Sequence, residues 1–131
     1  MSAPLSFSRR LAFAFGLLAP LGETIRRWHT WREWPPQFFD DYVMGALLLY
    51  AAWVTKRERR RGQRYLAAAW GLTVGFGYMS FFGHLRAYLA DPAAPDPAPI
   101  PHLWLIIIIG TGWALSIIAL LTTLRRLPDN P

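Results

Sequence analysis

The charges in this chain come in bunches, separated by long stretches that carry none. Between Pro101 and Leu124 (PHLWLIIIIGTGWALSIIALLTTL) there is no Asp, Glu, Lys or Arg. At about 1.5 Å per residue that run makes roughly 35 Å of helix, enough to cross a bilayer with some tilt. A water-soluble helix needs polar side chains along its outer face, so an uncharged run of this length reads as a membrane span. A second run, Tyr65 to Gly83 (YLAAAWGLTVGFGYMSFFG), follows an arginine cluster and ends just before His84 and Arg86. It reads as a span as well.

Two shorter apolar segments precede these. Tyr42 to Thr55 (YVMGALLLYAAWVT) must borrow length from Asp40 and Asp41 at one end and from snorkelling Lys56 and Arg57 at the other. Leu11 to Gly22 (LAFAFGLLAPLG) is shorter still, and a helix is expected over 11–25 that either crosses the membrane or lies along its surface. The predicted fold is therefore all-α: a small polytopic integral-membrane helical bundle with three spans plus an N-terminal short span or interfacial helix. At 131 residues it forms a single membrane domain. Along the chain the expected order is 11–25 (short span or interfacial helix), 26–41 (outer Trp-rich interfacial segment), 42–55 (span), 56–64 (basic cytoplasmic loop), 65–83 (span), 84–100 (outer Pro-rich loop), 101–124 (span) and 125–131 (cytoplasmic tail).

Orientation follows from the basic residues. The loop KRERRRGQR (56–64) holds six of them, whereas ADPAAPDPAPIP (90–101) holds only Asp91 and Asp96 among its charges and five prolines that forbid helix. By the positive-inside rule the basic loop and the C-terminus face the cytoplasm. If residues 11–25 cross, the two sides carry ten and four basic residues; if they do not, eight and six. The larger asymmetry favours four crossings. Trp28, Trp31, Trp34 and Trp104 are expected in an outer aromatic belt, and Trp53, Tyr65 and Trp70 in an inner one. The richness in Ala, Arg, Trp and Pro is compatible with a GC-rich bacterial genome, hence a bacterial inner membrane.

What the chain lacks excludes several chemistries. With no cysteine there is no disulfide framework, thiolate metal site, iron–sulfur cluster or thiol nucleophile. The net charge of +6 would suit nucleic acid, but the basic residues flank apolar runs and do not line a soluble surface, so no nucleic-acid partner is expected. No hydrolase, zincin, Walker or kinase signature occurs, and GLTVGFG (71–77) has no strand before it to make a dinucleotide loop. The sequence gives no reason to expect an enzyme.

Three groups of residues stand out. His29, His84 and His102 all fall on the predicted outer side, two of them at the ends of adjacent spans. They are the candidates for haem b or metal ligation, set against the commoner reading of interfacial histidines, on which no cofactor is expected. Asp40 and Asp41 open an apolar helix, where one is expected to cap free backbone N–H groups and the other to pair with Arg32 or Arg27. Ala67, Gly71 and Gly75 repeat every four residues, and Gly112, Ser116 and Ala119, continued by Thr123, mark a second smooth stripe. Both are expected to be helix-packing surfaces, facing either this chain's own helices or a partner's. The function expected is an accessory, assembly or stabilising subunit of a larger membrane complex, held in the lipid bilayer with other membrane subunits or with copies of itself. A haem or metal binder, and a small homo-oligomeric channel or transporter, are the alternatives.

Overall fold

The computed structural model describes residues 3–94 and 100–125. They form four helices with no strand among the described residues: α1 (Ala3–Arg27), α2 (Pro35–Arg57), α3 (Arg59–Ala90) and α4 (His102–Leu124). Each helix packs antiparallel to the one before it, and α1 closes the bundle by lying antiparallel to α4. The pairings show the directions. Gly16 and Pro20 of α1 meet Gly45 of α2, Thr55 of α2 meets Gly62 of α3, Gly77 of α3 meets Trp113 of α4, and Ser8 of α1 meets Thr123 of α4.

Two of the helices, α3 and α4, are long and apolar enough to cross a membrane. Large apolar side chains nevertheless stand exposed on all four, away from the space between them: Phe13 and Leu17 on α1, Val43 on α2, Met79 on α3, Ile118 and Leu121 on α4. Exposed apolar surface on this scale is unusual for a water-soluble monomer and normal against lipid.

Helix boundaries differ from the sequence reading in ways that have local causes. α2 starts at Pro35, seven residues before the expected 42, because Pro35 and Pro36 occupy its first positions, where a missing N–H costs nothing. Asp40 and Asp41 therefore lie inside the helix and do not cap it; the capping position is Trp34, whose side chain makes no capping bond. The expected loop 56–64 is almost entirely helical. Only Glu58, in extended conformation, separates α2 from α3. Arginine favours helix, so the charge cluster does not break it. The turn closes so tightly that a Cβ on Gly62 would collide with the Thr55 backbone. α3 continues past the expected 83 to Ala90, and α1 begins at Ala3, ahead of the expected 11. Residues 95–99 of the Pro-rich loop and 126–131 of the tail lie outside the described residues.

Two devices hold the bundle together. Where α1 crosses α2, Pro20 cannot donate the usual helical bond to the Gly16 carbonyl. That carbonyl faces Gly45, where an added Cβ would stand 2.7 Å from it and 2.6 Å from the Pro20 ring. The backbones meet because neither glycine has a side chain, allowing a close Cα–H to carbonyl approach. The second device is polar. The Trp70 indole N–H donates to Ser8 Oγ (2.9 Å). Ser8 lies 2.5 Å from Thr123 Oγ1, and Thr123 donates to the Ala119 carbonyl (2.7 Å), so the Ser8 hydroxyl donates to Thr123. All three side chains are fully buried, joining α1, α3 and α4 at one level. Trp70 thus belongs to the core and not to an inner aromatic belt, whereas Trp53, with Arg57 4.7 Å over its ring, is exposed as expected of a belt residue.

These contacts predict an order of sensitivity. Gly45→Leu and Gly62→Val force backbones apart and should each lower stability by about 1–3 kcal/mol, the usual range for overpacking. Gly71→Leu, where an added Cβ meets nothing within 4 Å, should leave it unchanged. Thermal unfolding of the detergent-solubilised variants checks the ranking.

Candidate functional site

Below Phe15, at the end of the bundle that holds Ser8 and Thr123, α1 and α4 are in contact. Towards the other end a cavity of about 490 Å³ lies between the helices. Its walls are largely apolar: Phe15 and Leu18 from α1, Met44 from α2, Phe76 from α3, Ile108 and Trp113 from α4. Thr73, Ser80 and Ser116 add hydroxyls, but Thr73 and Ser116 already donate to the carbonyls of Ala69 and Trp113. Trp113 is held by a stacked contact with Phe81 and edge contacts with Tyr78 and Phe82, and its indole N–H is buried without an acceptor among the described residues.

The charged groups of the cavity are Glu23, Arg26 and Asp41. Glu23 is buried although it is an acid, because α1 places two arginines one turn further on: Arg27 Nε lies 3.0 Å from it and Arg26 Nη1 3.7 Å. Asp41 comes from the first two turns of the neighbouring α2, ahead of the apolar run that begins at Tyr42. Its carboxyl makes no hydrogen bond or ion pair of its own among the described residues. Burial, followed by the negative charges of Glu23 and Asp40, pushes it up to about 7 against the opposing pull of Arg26 and Arg27. Asp40 is also raised by burial, an effect opposed by the Asp41 N–H that its carboxylate accepts and by Arg27. The expected pairing of an aspartate with Arg27 is not made, since Arg27 is engaged by Glu23.

The residues singled out from sequence divide. α3 and α4 bring His84 and His102 together, ring centroids 5.6 Å apart and nearly perpendicular, with Tyr88 edge-on at the same distance from His102. Both nitrogens of His102 are buried without a hydrogen-bond partner among the described residues. His29 is exposed in the turn between α1 and α2. Among the described residues no group of three or more His, Asp or Glu side chains is arranged to hold a metal ion. Edge-to-face contact between the His84 and His102 rings also differs from two imidazoles facing each other across an iron.

The two small-residue stripes have opposite surroundings. Ser116, Ala119 and Thr123 are fully buried, and Gly112 lies against Phe15, so that stripe packs inside the chain. Gly71 and Gly75 are exposed, with nothing near where a Cβ would stand, and Ala67 is half-buried. The glycines that pack α3 within the chain are Gly62, against Thr55, and Gly77, against Trp113. The cavity itself was not foreseen. The spacing of Glu23 to Arg26 and Arg27 shows the ion pairs within α1, but the meeting of Glu23 with Asp41 depends on the register between α1 and α2.

Because folding raises the Asp41 pKa from 3.8, the folded chain binds more protons than the unfolded one between about 4 and about 7. Stability should therefore fall as pH rises through that window, and Asp41→Asn should flatten the fall. Thermal unfolding at pH 5 and pH 8, wild type against variant, measures this. Comparisons with protein-family models, curated proteins and solved structures gave no match.

Proposed function

We propose that the chain is a small integral-membrane bundle whose four helices all cross the bilayer, and that it serves as an accessory, assembly or stabilising subunit of a larger membrane complex. The observation that carries the subunit role is the outward ridge of Ala67, Gly71 and Gly75. Small residues at four-residue spacing let another backbone approach closely, and among the described residues nothing stands within 4 Å of where a Cβ on Gly71 or Gly75 would lie. The apolar outer faces of the helices suit lipid or neighbouring subunits.

Four crossings are supported by the way α1 lies. It runs along both α2, which it meets at the bare backbone of Gly16 and Gly45, and α4, which it meets through the Ser8 and Thr123 hydroxyls, where an interfacial helix would lie across the bundle end. The antiparallel order then gathers Arg9, Arg10, the 56–64 cluster and Arg125 at one end, and Arg26, Arg27, Arg32 and Arg86 at the other. This is the ten-against-four arrangement once Arg126 of the tail is included. By the positive-inside rule the richer end is cytoplasmic, and the proline loop is outside. The bacterial inner membrane rests on composition alone.

Two experiments test this reading. The chain has no cysteine, so single cysteines report cleanly. In intact cells an impermeant thiol reagent should modify Ala93→Cys, and should modify Ala3→Cys and Glu58→Cys only after permeabilisation. Labelling of Ala3→Cys together with Ala93→Cys in intact cells would remove the first crossing. For the subunit role, Gly71→Leu and Gly75→Leu should insert normally but lose co-migration with other membrane proteins on native gels, relative to Val74→Leu. Equal assembly of all three variants would show that the ridge faces only lipid.

A further inference from the structure

We infer that the cavity between α1 and α4 is a binding site for one lipophilic amine, an apolar body carrying a single ammonium head that docks against Asp41. The cavity is separate from the Ala67, Gly71 and Gly75 ridge, so this inference stands apart from the subunit role. At about 490 Å³ it lies within the range of small-molecule sites. Its form is the usual one for such sites, with apolar walls and a few polar groups gathered at one place. Phe15, Leu18, Phe76 and Ile108 offer nothing but apolar contact, so the body of the ligand must be apolar.

The head is chosen by charge. Glu23 is already matched by Arg26 and Arg27, and both arginines are held by it. The Asp41 carboxyl makes no hydrogen bond or ion pair among the described residues, Arg26 and Arg27 acting on it only through space, and Asp40 lies beside it, its carboxylate accepting from the Asp41 backbone N–H. With every group ionised, the five side chains carry one negative charge in excess, and the group left over faces the cavity. A cationic head supplies the missing charge and gives the Asp41 carboxylate the charge-assisted hydrogen bonds it lacks. An anionic head would meet the unpaired carboxylate, and an alcohol would leave the excess charge in place. A two-chain phospholipid is disfavoured by size.

The test uses the full chain in nanodiscs of zwitterionic lipid, with a dodecylamine carrying a mid-chain diazirine as probe. Photolysis should give saturable adducts on α1 between Leu18 and Ile25 and on α4 between Leu105 and Gly112. Dodecylamine should compete at least tenfold better than dodecanol or dodecanoate. Asp41→Asn should weaken labelling about tenfold while leaving thermal stability at pH 5 unchanged. Gly22→Phe, at a cavity position where an added Cβ meets nothing, should reduce adducts in the same segments. Competition by dodecanol equal to that of the amine, or unaltered labelling of Asp41→Asn, would overturn the inference. So would adducts spread evenly over Val43, Leu47 and Met79, or stronger competition by a phosphatidylethanolamine than by dodecylamine.

Discussion

The buried chain of donors from Trp70 through Ser8 to Thr123 and the Ala119 carbonyl is the contact on which the remaining architecture rests. In lipid, apolar side chains gain nothing by leaving the solvent for a neighbouring helix, so a bundle is registered by close packing and by polar groups that find no partner elsewhere. The network is fully satisfied and admits one relative height for α1, α3 and α4. A one-residue slide of α1 would turn Ser8 away from both partners and leave the indole N–H unpaired in an apolar interior, which costs more than the bond contributes. Gln63 acts beside it, donating to the carbonyls of Thr123 and Arg125 at the end of α4.

Pinning α1 to α4 at that end has a consequence at the other. α1 is also committed to α2 through Gly16, Pro20 and Gly45, so its upper half follows α2 and leaves a space beside α4. The cavity is therefore a product of two contacts of different kind, one polar and one made of bare backbone. Pro20 acts twice in the second of these, since it removes a helical bond and offers its ring as the surface against which Gly45 lies.

Much of the helical layout was legible because it depends on composition over long windows. The two most apolar runs are helices as expected, α4 within one residue at both ends and α3 longer than expected at both. What failed was local. The arginine cluster lies between two apolar runs and so reads as a loop, yet arginine is a good helix former, and the break needs only Glu58 and the space at Gly62. Asp40 and Asp41 were read as a helix start because Tyr42 begins the apolar run, whereas the helix itself begins at the two prolines. Trp70 looked like a belt residue by its distance from the arginines, and only its partnership with Ser8, 62 residues away, draws it inside.

The two stripes of small residues show where sequence periodicity stops being informative. Ala67, Gly71 and Gly75 repeat every four residues and Gly112, Ser116 and Ala119 at four and then three, both spacings that keep to one helix face, and nothing in either stripe says which is covered. The difference comes from the residues opposite. Gly112 faces Phe15, a side chain large enough to fill the gap left by a missing Cβ, and Thr123 faces Ser8, a hydroxyl that needs a partner. The α3 ridge faces neither, because α3 has turned Trp70, Thr73 and Gly77 inward, and in an α-helix residues 71 and 75 then fall on another side. A small side chain exposed to lipid gives up contact area that leucine would supply, so such a ridge weakens an isolated bundle slightly and strengthens only one that meets a second backbone there.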